Sequence, residues 1–522
     1  MSGARTFHVA QVTRHVDEPP QVLGDRAAAA LGLAASDLLG WRVVRRSIDA
    51  RGGGPPRFVC VVEVDIPADA RVAPVSADAR AVAPRVAAPS PPALRPDAAR
   101  PVVVGLGPCG LFAALRLATA GLRPVVLDRG KPVEHRAKDV ARLMGQGLLN
   151  PESNLCYGEG GAGTWSDGKL YTRVGGPGVD AVLQTIVEHG GPPEILVNAL
   201  LDAGAELRFD TRVDTVDIVD GVVRGVVLHD GARVDASHVI LAPGHSPCDV
   251  YRRLAESGVA MAPKGFAVGF RVEHPQALVD EVQYGRWAGH DELPAAYYEL
   301  KSRAGDRGVY SFCMCPGGSV VPTPTMDGEV CVNGMSHAAR SGRYANSAVV
   351  VQVEPADYAP FAASDHPIDT LLAGARFQRL AEEEAWRQGG GAFVAPAQRV
   401  DDYIAGRASR DVRRTTYKRG VAAGDLARMY PDHVTAALRD GIRGFERGFR
   451  GFVSDDAVLI GVETRTSAPV TVLRDRETFQ STSAANLYPA GEGAGYGGGI
   501  VSAAIDGLRV ADAILAQVDA SR

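Results

Sequence analysis

The chain has 522 residues, several times the roughly 150 of an ordinary domain, so two or three domains are expected. Hydrophobic residues at 46% and charged residues at 22% exclude wholesale disorder. Lys plus Arg total 56 against 61 Asp plus Glu, and the net charge of −5 excludes a generally polyanion-binding chain, so no nucleic-acid partner is expected.

The first residues, MSGARTFHVAQVTRHVDEP, are broken by charges and lack an apolar h-region, so no signal peptide is expected. No run of 18 uncharged apolar residues occurs, so no membrane span is expected. Seven cysteines without CxxC spacing give neither a zinc ribbon nor a disulfide framework, and no metal site is expected. A reducing, cytoplasmic location fits best.

Residues 1–66 read as a small α+β domain. Phe7 to Val12 is strand-like, Gln21 to Leu39 has helical spacing, and Trp41 to Ser47 and Phe58 to Ile66 are two further strands. Residues 67–100 hold 12 Ala and 7 Pro, and proline discourages regular structure, so this stretch reads as an extended linker.

Residues 101–130 read PVVVGLGPCGLFAALRLATAGLRPVVLDRG. An apolar strand, Val102 to Val104, runs into Gly105, Gly107 and Gly110, a G-x-G-x-x-G turn filled by Leu106, Pro108 and Cys109. A helix from Leu111, a second strand from Pro124 to Leu127 and the acid Asp128 follow, giving the full context a dinucleotide fingerprint needs. Gly105 permits the turn, Gly107 lets backbone approach a pyrophosphate, and Gly110 packs helix on strand. Asp128, with Arg129 beside it, is placed to accept both ribose hydroxyls of an adenosine and to repel a 2′-phosphate.

Three later segments point to FAD rather than NAD. Tyr157 to Thr172 is a glycine-rich loop, and its Gly160, Gly161, Ala162, Gly163, Thr164 and Lys169 are candidate contacts to pyrophosphate and flavin ring. Glu206 to Ala242 reads as strands joined by Asp220-Gly221 and Asp230-Gly231 turns. Val213 near its head, and Pro243, Gly244 and His245 at its end, are further candidates; the layout resembles the β-meander of glutathione-reductase-type flavoproteins. Residues 486–513 carry Gly491 and Glu492, then Gly498, Gly499 and Ile500 opening a helix of small residues. In that class the acid here binds the ribityl chain, and the helix N-terminus faces the flavin C2 carbonyl, where charge builds on reduction.

The blocks SNLCYGEGGAGTWSDGKLYTR (153–173), FAVGFRVEHPQ (266–276), RGVYSFCMCPGG (307–318), VNGMSHAAR (332–340), GVETRTSAP (461–469) and LYPAGEGAGYGGGIVSAAIDG (487–507) together resemble a family of bacterial FAD-dependent dehydrogenases or oxidoreductases. The resemblance implies a Rossmann-type α/β FAD-binding domain over 101–261 and 451–522, with an α+β substrate domain inserted at 262–450. The chain departs from the family in having Asp128 for Glu, Pro247-Cys248 after GHS, and no PHIGTD-like segment before the meander, which suggests a specialised biosynthetic role.

The single fingerprint leaves no second site for a resident pyridine nucleotide. Hydride transfer between a small-molecule substrate and flavin N5 is the favoured chemistry, with NAD(P)H as a possible transient reductant. Oxygen transfer by a flavin monooxygenase and an RNA-directed or electron-transfer role are the alternatives. Among candidate catalytic residues, Arg465 can hold a substrate carboxylate and Glu463 sits beside it, though a structural Glu–Arg network explains both equally. Arg271 and Glu273 share one strand face and can form a junction ion pair or supply a base; His337 is a further candidate. Cys313 and Cys315, alternate residues of one strand, should put both sulfurs on one face.

Overall fold

The computed structural model describes residues 4–51, 54–72, 78–82, 100–165, 177–188, 193–246 and 248–520. The chain divides into two compact units, one of residues 1–89 with 276–298 and one of residues 90–275 with 299–522.

In the smaller unit Ala4–His15, Gly40–Asp49, Arg57–Pro67 and Ala79–Ala81 form an antiparallel sheet, with Arg57–Pro67 and Ala4–His15 as its two central strands. Arg57–Pro67 alternates buried and half-buried residues along its length, the period-2 pattern of a strand covered on one face. The helix Val22–Ala30 covers that face and stops well short of the expected Leu39, because Gly32 follows with φ of 71°. Two stretches join this unit against expectation. Ala79–Ala81, inside the expected linker, pairs with Phe7–Val9 as an edge strand. Residues 276–298, expected in the substrate domain, pack here through Trp287 and Leu293, and Arg14 pairs with Glu292.

The larger unit holds a five-stranded parallel sheet ordered Leu487–Pro489, Val239–Leu241, Val102–Val104, Val125–Leu127, Glu206–Arg208. The middle three strands are wholly buried runs of Val, Ile and Leu, as a parallel sheet covered on both faces requires. Helices Pro108–Thr119 and Ile500–Ala520 cover one face; a Cβ at Gly507 would sit 2.2 Å from the Cys109 carbonyl, so the two helix backbones touch. The meander Val213–Val219, Val222–Leu228, Arg233–Asp235 covers the other face; its first turn has positive φ at both Asp220 and Gly221, the conformation of a tight hairpin. This is the Rossmann-type α/β arrangement.

A seven-stranded sheet makes the inserted part, in the order Lys301–Ala304, Arg307–Cys315, Tyr344–Val353, Phe266–Pro275, Val458–Glu463, Ala395–Arg399, Val421–Ala423. Because Val458–Glu463 is an inner strand of this sheet, the insert runs past residue 450, where the sequence placed its end. Among the described residues no helix is long and apolar enough to cross a membrane.

Candidate functional site

The strand Val102–Val104 ends in Gly105, whose φ of 97° only glycine adopts freely and whose added Cβ would strike the Ala242 carbonyl at 2.3 Å. At Gly110 an added Cβ would lie 1.9 Å from the Gly105 carbonyl, so helix and turn are in backbone contact. Gly107 differs from both. Its φ of −75° suits any residue, and a Cβ there meets nothing nearer than the Gly161 Cα at 3.9 Å. The protein's own packing does not demand glycine at 107. The turn borders open space at the N-terminus of the helix, whose first N–H groups have no intrahelical partner. That cradle fits a pyrophosphate.

Distant loops close on this turn. The Gly160 N–H donates to the Leu106 carbonyl at 2.9 Å, and a Cβ on Gly161 would approach the Gly107 Cα at 3.0 Å. A Cβ on Gly163 would lie 3.5 Å from Pro108 Cγ and 3.6 Å from Ile500 Cδ1, so three segments meet there. Ala162 and Thr164 belong to the same short helix, Gly161–Trp165, and Thr164 Oγ1 donates to the Glu159 carbonyl at 2.6 Å. Gly491 has φ of 70°, and a Cβ there would meet Cys109 Cβ at 2.8 Å; Cys109 is buried beneath the turn. Gly498 and Gly499 are exposed, with no neighbour closer than about 4 Å to an added Cβ. Lys169 lies outside the described residues.

Asp128 is buried, and each of its oxygens accepts one backbone N–H at 2.8 Å, from Leu106 and from Gly130. Two acceptor positions remain for ribose hydroxyls. The Thr211 N–H donates to the Asp128 carbonyl at 2.9 Å, which brings buried Val213 and the meander alongside. Arg129 pairs with Glu152 at 2.5 Å and stacks 4.4 Å from the Tyr157 ring centre. Gly244 is exposed with φ of 74°; a Cβ on Gly493 would strike its carbonyl at 2.0 Å. Half-buried His245, next to Pro243-Gly244, has Nδ1 2.9 Å from Ser246 Oγ.

Three positioning side chains give no local signal in the sequence. Arg136 is fully buried and donates to the carbonyls of Asn154 (2.8 Å), Leu155 (3.1 Å) and Glu159 (2.5 Å) and to Thr164 Oγ1 (3.0 Å). It ties down the glycine-rich loop, and burial lowers its pKa to about 10. Asp506, in the last helix, accepts the Gly491 N–H at 2.8 Å and pairs at 2.6 Å with Arg474, whose side chain is 7% exposed. Lys264 donates to Ser467 Oγ at 2.6 Å, and its charge interacts with Glu492. Burial raises the Glu492 carboxyl pKa, with His245 and Lys264 opposing; among the described residues no hydrogen bond holds that carboxylate, which leaves it open to a ligand hydroxyl.

The expected catalytic residues are placed differently. Arg271 and Glu463 are buried against each other, 3.0 and 3.1 Å apart. The other Arg271 donors go to Asn346 Oδ1 at 2.8 Å, the Cys313 carbonyl and Cys315 Sγ at 3.4 Å, so none is left for a substrate. Glu273 binds Arg413 and Thr416 instead of pairing with Arg271. Arg465 spends its donors on Glu382, Glu329 and Thr325 and does not offer a fork to a substrate carboxylate. His337 lies on an exposed turn, 3.1 Å from Ser319 Oγ. The two sulfurs of Cys313-Met314-Cys315 do not share a face: the strand shifts register between Phe312 and Cys315, Cys313 takes φ of 45°, and Cys313 is exposed while Cys315 is buried.

Residues 265–466 match the model of the FAD-dependent protein C-terminal domain, and residues 8–65 match that of a domain of unknown function. An uncharacterized protein of Clostridium beijerinckii is 40% identical over 444 residues, covering 81% of either chain. An FAD-dependent monooxygenase of Nectria sp. is 27% identical over 218 residues, 38% of this chain and 50% of that one. The crystal structure of CtdE in complex with FAD is similar at a TM-score of 0.32 and 12% identity, covering 80% of this chain and 84% of that one.

Proposed function

This chain belongs to the same family as the Clostridium beijerinckii protein, a family of FAD-dependent proteins, and on that premise we propose that it is an oxidoreductase passing hydride between a small organic molecule and the flavin. Bound FAD supplies an electron sink at N5 that accepts hydride and releases it to an acceptor. The chain's own residues bind and orient. The Gly105–Gly110 turn and the N-terminus of helix Pro108–Thr119 receive the pyrophosphate, Asp128 the adenosine ribose and Glu492 the ribityl hydroxyls. The observation that carries this reading is the open cradle at Gly107, on which loops from residues 160–163 and 500 converge. The substrate belongs to specialised biosynthesis, and NAD(P)H serves as a reductant that comes and goes. We place the activity in the cytoplasm, supported by seven cysteines that are all free thiols.

Oxygen transfer is the second reading, favoured by the 27% identity to a monooxygenase. Anaerobic reduction of the yellow protein, followed in the flavin absorbance band, separates the two. Bleaching by a metabolite alone supports dehydrogenation. Bleaching by NADPH only when that metabolite is present supports oxygen transfer. A colourless protein that takes up no added FAD sinks both.

A further inference from the structure

One buried cluster, Arg465 with Glu329 and Glu382, lies outside the residues assigned above to the FAD cradle. Arg465 Nη2 donates to Glu382 Oε2 at 2.5 Å and to Glu329 Oε2 at 3.0 Å, and Arg465 Nε donates to Glu382 Oε1 at 2.9 Å. Glu329 and Glu382 are 4% and 1% exposed, and an oxygen of each meets the one nitrogen Arg465 Nη2. With both ionised, two charges would face one guanidinium away from water; with one proton the cluster is neutral. The surrounding polar groups fit that state: Thr464 donates to Glu382, and Thr325 Oγ1 accepts from Arg465 at 2.6 Å.

The other titratable groups facing the pair are Arg379, the Tyr430 hydroxyl, whose pKa burial raises, and the thiols of Cys331, Cys156 and Cys248. Burial raises all three thiol pKa values, those of Cys331 to about 12 and Cys248 to about 11, so none adds charge near neutral pH. Burial and the Glu382 charge push Glu329 up to about 8, against the pull of Arg465.

Chain connectivity sets the cluster against the cradle on two sides. Ser467, which accepts from the lysine facing Glu492, is two residues from Arg465, so their Cα atoms lie within about 7 Å. Cys156, the residue before the glycine-rich loop, approaches the Thr323 carbonyl at 3.9 Å, two residues before Thr325.

We propose that Glu329 and Glu382 share one proton across Arg465 and exchange it with the substrate during flavin reduction, an inference that rests on the oxidoreductase reading above. The atoms balance. When a substrate C–H bond breaks and its hydride joins the flavin, both electrons go with it. The pair first gives its shared proton to water; the proton of the adjoining O–H or N–H then passes to the ionised pair, restoring one neutral carboxyl and leaving a new C=O or C=N bond in the product. In the reverse direction the neutral carboxyl returns that proton. Glu329 and Glu382 are positioning and proton-carrying residues; a water or the substrate itself bridges the gap.

The test uses FAD-loaded wild-type, Glu329→Gln and Glu382→Gln proteins. The infrared band of a protonated carboxyl is followed from about pH 6 to 10, and the flavin midpoint potential is titrated with dithionite and an indicator dye over the same range. Wild type should lose a carboxyl band with a midpoint near 8, and the slope of its potential against pH should change there. Glu329→Gln should keep its FAD, lack that band and give a potential line without the break. No titrating band in wild type overturns the shared proton. A band without a break, or a break unchanged in Glu329→Gln, overturns the exchange. Should one variant not fold, the other and the wild-type infrared titration still decide. Failure of every metabolite and of NAD(P)H to bleach the flavin sinks the oxidoreductase reading, while the infrared titration still decides on the proton.

Discussion

Asp506 accepts the Gly491 N–H at 2.8 Å, so a side chain from the last helix fixes the turn that carries Glu492. The same carboxylate neutralises Arg474, and Arg474 stacks 3.7 Å from the centre of the Tyr496 ring. Asp506→Ala should therefore do two things. It should cost about 3–5 kcal/mol, since it strands a buried guanidinium, and it should weaken FAD binding. Asp506→Asn should lose FAD affinity by less. Urea unfolding and flavin titration of the apoprotein read the two effects separately.

Gly107 and Gly110 should part company on mutation. Gly107→Val meets no protein atom near its Cβ, so unfolding free energy should stay within about 1 kcal/mol of wild type while bound flavin is lost. Gly110→Val drives a Cβ into the Gly105 carbonyl and should destabilise by about 1–3 kcal/mol or more. A yellow, fully loaded Gly107→Val protein would place the pyrophosphate elsewhere.

Arg136→Met should loosen the glycine-rich loop, because three carbonyls and the Thr164 hydroxyl lose a donor at once. At about 1 kcal/mol per lost bond, FAD affinity should fall at least tenfold. Limited proteolysis of the apoprotein should cut more rapidly near residues 154–164. Unchanged affinity would mean that the loop holds its shape without this guanidinium.

His274 gives an acid limb to stability. Burial lowers its pKa from 6.5 to about 4, so the folded protein keeps it neutral where the unfolded chain binds a proton. The unfolded state then holds more protons between about pH 6.5 and 4, and stability falls as the pH drops through that window. The full shift corresponds to about 3 kcal/mol. His274→Gln should flatten the limb relative to wild type in denaturant titrations at pH 7 and pH 4.5; equal slopes would refute this.

Glu463→Gln should leave flavin content intact and change the rate of flavin bleaching less than about threefold, since Glu463 faces Arg271 inside the sheet. A hundredfold loss with normal stability would return it to the list of groups that touch substrate.

The glycine turns were readable from the sequence because their requirement is local. A strand, a missing Cβ and a helix start lie within ten residues, and the meander's Asp-Gly turns obey the same logic. Arg136, Asp506, Lys264 and Glu382 were not readable, because each acts on a segment far along the chain and none sits in a motif. Arg271, Glu463 and Arg465 read as catalytic candidates for a related reason: charges within an apolar strand, or in the polar stretch just before the last glycine turn, suggest chemistry, and only the fold shows that each charge already has its counter-charge. The pairing of Cys313 with Cys315 on one face failed because alternation assumes an unbroken strand, and an irregularity at Cys313 breaks it.

The return of residues 276–298 to the N-terminal unit makes that unit a product of two stretches of chain widely separated in sequence. Its folding cannot finish on the ribosome until the second stretch has emerged, almost two hundred residues after the first. A gene fragment ending at residue 89 would yield a sheet without the cover of Trp287 and Leu293, and expressing residues 276–298 alongside it in trans should restore solubility.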